Sequence, residues 1–194
     1  MNAPSSYLVE EKLLDGRSLV IRAVCPADKS IFVEGMRHLS QESLYYRFLT
    51  PKRALTQKEL QFFTEVDFHN HVALLALIKD ADGNEHPAGV GRYIVIEAPK
   101  EPDCAELAFV VEDEYQHKGI ATLLLKHLSI IAKASGIKRF KAIVLVDNLK
   151  MLDVFKHCGL PLSSKIHTAG VLELTLSLEP DSGHTFMSGW LSTQ

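Results

Sequence analysis

The sequence predicts a mixed α/β domain, and three observations carry that reading. Helix-like segments with capping signals fill residues 27–66. Apolar, β-rich runs separated by turn residues follow over 72–111. Then a strand, a tight turn, a long amphipathic helix and another strand come in succession, the pattern of a crossover unit. The whole of residues 1–194 is expected to form one domain, since a chain of 194 residues buries a sizeable core without needing a second.

Each element has its own signal. Residues 1–16 read as a loose arm ending in the turn Asp15-Gly16, and Ser18–Val24 (SLVIRAV) as a first strand. Over Ala27–Leu39 the apolar residues Ile31, Phe32, Met36 and Leu39, with Gly35, share one helical face. Ser40 opens a short helix through Phe48, and Thr56, three residues before Glu59, opens another through Val66. Val72–Ile78 (VALLALI) is continuously apolar, as in a strand covered on both faces. The turn 80–84 leads to the strand Ala88–Glu97, the loop 99–102 and the strand Cys104–Val111.

After Val111 come the acidic residues Glu112-Asp113-Glu114 and then a helix pattern (Ile120, Leu123, Leu124, His127, Leu128, Ile131) that ends at Gly136. Phe140–Val146 is a strand, Asn148–His157 a helix closed by Gly159, and Lys165–Leu178 one or two antiparallel strands around Gly170. Residues 179–194 carry little pattern and read as a mobile tail.

Bulk properties narrow the function. A net charge of −3 with no basic run gives no electrostatic reason to expect nucleic acid or a membrane surface as partner. Cys25, Cys104 and Cys158 are odd in number and show no metal spacing, and no signal peptide opens the chain, so a reduced, cytoplasmic protein is expected. His69 and His71 alternate without a third ligand, so they are expected to have surface or loop roles and no metal is expected.

The most informative stretch is 106–121, ELAFVVEDEYQHKGIA. A strand, a small-residue turn and a helix N-terminus in that order present backbone N–H groups and the positive end of a helix dipole, a site for phosphate. Gln116-His117-Lys118-Gly119-Ile120-Ala121 matches the acyl-CoA pyrophosphate loop, Q/R-x-x-G-x-G/A, and Asn148, Phe155, Gly159 and Leu160 match a second motif downstream. On these two motifs the chain resembles the GNAT superfamily of acyl-CoA-dependent N-acetyltransferases. Over 40–48, 60–78 and 106–111 it is similar to the catalytic domain of bacterial protein lysine acetyltransferases of the Pat type.

The resemblance implies a central, mostly antiparallel mixed sheet flanked by helices, with one splayed strand pair, and acetyl-CoA as cosubstrate. It implies that the turn 116–121 wraps the pyrophosphate, with Gly119 and Ala121 permitting close approach, Thr122 adding a hydroxyl and Lys118 offsetting charge. It implies that Phe109, Val110 and Val111 line the pantetheine arm, their strand offering backbone groups to it as a pseudo-strand. Glu106 is implied as the catalytic base that takes the amine proton; as a bare residue it is equally an acid at a strand end. Asn148 touches the arm, caps the helix that follows, or does both. Phe155 stands where many relatives place a tyrosine, so it brings no proton donor and is expected to pack against cofactor or core.

The favoured acceptor is a protein lysine. The competing readings are a GNAT enzyme for a small amine and a non-catalytic acyl-CoA-binding module. The lack of G-x-G-x-x-G and of a Walker motif speaks against another nucleotide binder.

Overall fold

The computed structural model describes residues 4–80, 82–98, 101 and 103–179. Its centre is one eight-stranded sheet in the order β1-β2-β3-β4-β5-β6-β8-β7. The strands are β1 Leu8–Lys12, β2 Ser18–Ala23, β3 His71–Lys79, β4 Glu85–Val95, β5 Cys104–Val111, β6 Arg139–Leu145, β7 Leu162–Thr168 and β8 Val171–Ser177. The helices are α1 Lys29–His38, α2 Gln41–Phe48, α3 Gln57–Thr64, α4 Ile120–Ala134 and α5 Leu149–Lys156. Neighbouring strands pair antiparallel except β5 and β6, the parallel pair that α4 bridges. Among the described residues no helix is long and apolar enough to cross a membrane.

The continuous apolar run of β3 is explained by burial on both faces. Val72, Leu74, Ala76 and Ile78 point into a core shared with α4 and α5, where Leu124, Leu125, Leu128 and Phe155 lie. Ala73, Leu75 and Leu77 point the other way, against Ile31, Phe32 and Val66 beneath α1 and α3. The side-chain period of two sends one strand into two cores.

Local signals place the helix ends. Thr56 and Glu59 form the capping box at α3, each side chain meeting the other's backbone N–H. Ser40 caps α2 by accepting the Ser43 N–H at 3.1 Å. Gly136 and Gly170, at φ of 81° and 77°, make the left-handed turns after α4 and between β7 and β8.

Several boundaries differ from expectation. The loose arm is not loose: residues 8–12 form β1, zipped onto β2 from Leu8↔Arg22 to Lys12↔Ser18. Val9 packs on the core, Tyr7 bonds His127 through its hydroxyl at 2.7 Å, and Glu11 accepts from Lys126 and His127. These ties are long-range, so a five-residue strand with two glutamates gave no local pattern. The first helix begins at Lys29 because Pro26–Asp28 form a 3-10 turn held by the Arg22–Asp28 ion pair. The second meander strand starts at Glu85, its pairing irregular where Pro87 lacks an N–H for the ladder. The expected tail, apart from Glu179, lies outside the described residues.

Candidate active site

The parallel pairing of β5 and β6 lasts three rungs: Cys104↔Arg139, Ala105↔Phe140 and Glu106↔Lys141. Beyond Glu106 the strands part. β5 continues to Val111 paired with β4 alone, and β6 continues to Leu145 paired with β8 alone. The splayed pair implied by the sequence is therefore present. Its consequence is a row of backbone N–H and C=O groups on the parted edges, turned toward open space instead of toward a strand.

That space is a cleft of about 690 Å3. It is lined by Glu106, Phe109, Val110 and Val111 from β5, by Gln116, His117, Gly119, Ile120, Ala121 and Thr122 from the turn into α4, and by Asn148 and Phe155 from α5. Every site residue named from the sequence reaches it except Lys118. Lys118 acts electrostatically on Asp15, in the turn between β1 and β2, and is absent from the cleft wall.

The turn that opens α4 owes its shape to two left-handed residues, His117 at φ 60° and Gly119 at φ 84°. A Cβ added at Gly119 meets nothing within 4 Å, so the glycine is required by backbone conformation, with open space above it. Gly119 brings no side-chain cap to the helix, and the first helical bond runs from Leu123 N–H to Gly119 C=O. The N–H groups of residues 120–122 thus face the cleft mouth without intrahelical partners, in the field of the helix's positive end.

Gln116 does something the sequence reading missed. Its side-chain amide donates to Ser43 Oγ at 3.1 Å and to the Val111 carbonyl at 3.2 Å, and its carbonyl accepts from Lys150 at 2.8 Å. It braces the turn between β5, α2 and α5, so its side chain is a strut. Asp113 extends the brace: burial disfavours its charge, but the Ser40 N–H and the Ser40 and Ser43 hydroxyls outweigh that and hold its carboxyl below the ordinary range.

Asn148 has the capping role that the sequence offered. It caps α5 by accepting the Met151 N–H at 3.1 Å, and it lines the cleft. Phe155 is 1% exposed, its ring 6.2 Å from that of Phe109, so it forms packed floor.

Glu106 occupies the last rung before the fork and is exposed to the cleft. Its charged neighbour is Arg47 of α2. Burial lowers the Arg47 guanidinium's pKa, while attraction to Glu106 works in the opposite direction. Arg47 also lies over the rings of Phe48 and Phe63, at 5.2 and 5.8 Å.

His71 corrects an expectation as well. It is 9% exposed, not a surface or loop residue, and its Nε2 lies 3.0 Å from Nη1 of buried Arg92. Since guanidinium only donates, the imidazole accepts there. Arg47, Ser43, Tyr46 and Lys150 also line the cleft and were given no role in the sequence reading. Ser43, Tyr46 and Arg47 lie in the stretch 40–48 that carries the resemblance, but helical periodicity does not say which face of α2 or α5 meets a distant strand.

A fork in the sheet facing an uncapped helix N-terminus defines the class, and comparison with known proteins agrees. The Acetyltransferase (GNAT) family model matches residues 33–160, and the chain belongs to that family. Family members are acetyltransferases that draw on acetyl-CoA. The chain is 31% identical over 144 residues to Acetyltransferase Pat of Mycolicibacterium smegmatis, covering 74% of this chain but only 41% of that protein. It superposes on the GNAT domain of S. lividans PAT with a TM-score of 0.78 at 33% identity, covering 88% and 96% of the two chains. It shares its fold, at 16% identity and TM-score 0.67, with yncA of Salmonella typhimurium, a structure containing acetyl-CoA, over 84% and 96% of the chains.

Proposed function

We propose that this chain transfers the acetyl group of acetyl-CoA directly to the side-chain amine of a protein lysine. The observation that carries the reading is the fork: the one acid on the parted edge, Glu106, stands at its vertex. The cleft residues suit the donor. N–H groups of residues 120–122 and the left-handed turn suit a pyrophosphate. The unpaired edge of β5 from Leu107 to Val111 suits an extended arm with amide groups. Lys150, beside the turn, adds positive charge.

Bound acetyl-CoA supplies an activated acyl carbon as a thioester. The chain's own residues hold it, exclude water and manage the proton. Glu106 takes the proton that the attacking amine must lose, directly or through one water. Arg47 of α2 stands beside Glu106 as its charged neighbour on the cleft wall. Phe155 has no hydroxyl, so protonation of the leaving thiolate is left to solvent, which a thiolate tolerates.

The choice of lysine rests on the resemblance of residues 40–48, 60–78 and 106–111 to Pat-type enzymes. The free thiols of Cys25, Cys104 and Cys158 suit a reducing, cytoplasmic setting. The test is incubation with a cell lysate and acyl-labelled acetyl-CoA. Label in protein, on lysine, is the expected result. Label confined to small molecules moves the acceptor to a free amine, and no label beyond hydrolysis removes the catalytic reading.

A further inference from the structure

A second cavity, of about 70 Å3, adjoins the cleft. One water needs only ~10–15 Å3, so this space admits several heavy atoms. Its walls are Phe32, Met36, Phe48, Phe63, Leu75 and Val90, under α1–α3 on the second face of the sheet. It shares Val110 and Arg47 with the cleft, so the two spaces meet on the stretch of β5 beyond the fork.

One wall of this apolar space is a buried cation. Arg92 is 4% exposed and lines the cavity. Its Nη1 bonds His71 Nε2 at 3.0 Å, its Nη2 donates to the Phe63 carbonyl at 3.4 Å, and its Cζ lies 4.4 Å above the Phe63 ring. The carbonyl is neutral, and so is His71, held so by burial. Among the described residues Arg92 has no carboxylate within ion-pair distance. Arg47 adds a second positive charge close enough to oppose it.

The acids nearby are placed elsewhere. Glu106 faces the cleft and is answered by Arg47. Glu112 lines the cavity, but its N–H bonds the Ala88 carbonyl, whereas Arg92 pairs with Ala108. Four residue steps, roughly 13 Å of extended backbone, separate Ala108 from Glu112. Glu112 moreover bonds His38 at 3.2 Å. A guanidinium buried without an anion is costly, and a planar fork is the group best suited to bind a carboxylate.

We propose that this cavity is an acyl-tail site for donors whose acyl group ends in a carboxylate, the CoA monothioesters of short dicarboxylic acids, and that Arg92 recognises that carboxylate. The proposal rests on the acyltransferase reading of the cleft. The reaction is the same transfer. The amine nitrogen bonds the thioester carbonyl carbon, the carbon–sulfur bond breaks, and CoA leaves as its thiolate. The amine proton passes to Glu106 and then to solvent. Nothing is oxidised or reduced, and the distal carboxylate is unchanged. Its apolar walls cover the methylenes between the two ends.

The test compares kcat/KM for acetyl-, butyryl- and succinyl-CoA with one acceptor. Succinyl and butyryl chains are similar in length and differ in the terminal charge. Succinyl-CoA is expected to exceed butyryl-CoA by at least about tenfold, because a polar group built for a polar substrate discriminates strongly. In Arg92→Gln the succinyl-to-acetyl ratio should fall at least about tenfold, and Arg92→Lys should recover part of it. Butyryl-CoA equal to or better than succinyl-CoA overturns the proposal, and this wild-type comparison stands even where Arg92→Gln does not fold. A preference for carboxylated over uncarboxylated acceptor amines, with no preference among donors, also overturns it, by assigning the guanidinium to the acceptor. Use of acetyl-CoA without succinyl-CoA removes only the tail site, whereas absence of binding and turnover with every donor removes the acyltransferase reading itself.

Discussion

His71 makes the stability of this fold depend on pH in a defined window. Burial pushes its imidazole down to about 4, the neighbouring Arg92 guanidinium adds to the effect, and Asp67 opposes it. In the unfolded chain a histidine titrates near ~6.5. Above that value neither state binds the proton and His71 contributes no pH dependence. Between about 6.5 and about 4 the unfolded chain is protonated and the folded one is not, so stability falls as pH falls. Below about 4 both states are protonated and the loss is complete.

A gap of roughly 2.5 units at ~1.4 kcal/mol per unit gives about 3 kcal/mol. For a domain of this size ~1 kcal/mol moves the melting temperature by about 2–4 °C, so His71 accounts for a fall of ~6–12 °C between neutral pH and pH 4. His71→Gln keeps an acceptor toward Arg92 and cannot titrate. Calorimetric melts of both proteins across this range give the contribution by difference. His127 is shifted in the same direction but is common to both proteins, so it cancels. Parallel curves for wild type and variant refute the reasoning, as does an imidazole NMR titration of His71 near the ordinary histidine value.

Three further substitutions test separate parts of the site. Gly119→Ala leaves the added methyl in open space but forces alanine to φ 84°, so the melting temperature should drop by the equivalent of ~1–2 kcal/mol; an unchanged melt contradicts the strain argument. Gln116→Ala removes the strut to Ser43, Val111 and Lys150, and KM for acetyl-CoA should rise by roughly 5–30-fold, the equivalent of ~1–2 kcal/mol, with kcat nearly constant. A fall in kcat alone assigns Gln116 to the chemistry. Thr56→Ala breaks the α3 capping box at a cost of ~1 kcal/mol in denaturant melts, without altering acetyl-CoA affinity.

Much of this architecture is legible in local sequence, and the exceptions share a cause. The strand of 104–111, the turn at Gly119 and the helix of 120–134 are written in short-range periodicity and turn chemistry, so their order and the parallel crossover follow from it. The two cores flanking β3 follow from an apolar run with no polar face. β1 was missed because Tyr7 and Glu11 find their partners on α4, more than a hundred residues away in the chain.

The candidate site divides in the same way. Motif residues such as Val111, Ala121 and Asn148 were visible because the residue pattern is itself the signal. Lys118 is assigned to the phosphates by the motif, yet its side chain is absent from the cleft wall. Gln116 matched the motif, but its role as a strut depends on Ser43 and Lys150, which sequence does not place beside it. His71 read as exposed because an isolated histidine carries no mark of Arg92, which reaches it from the neighbouring strand.

In the proposed reaction the fork holds acetyl-CoA while Glu106, at its vertex, takes the amine proton. The direct measurement is acetyl-CoA affinity by calorimetry beside kcat on one acceptor, for wild type and Glu106→Gln at equal, neutral pH. Affinity should stay within about twofold of wild type and kcat should fall by ~10²–10⁴, the share a positioned base supplies. A variant that binds acetyl-CoA normally and turns over at the wild-type rate contradicts the role given to Glu106, and a wild-type protein that does not bind acetyl-CoA contradicts the account of the fork.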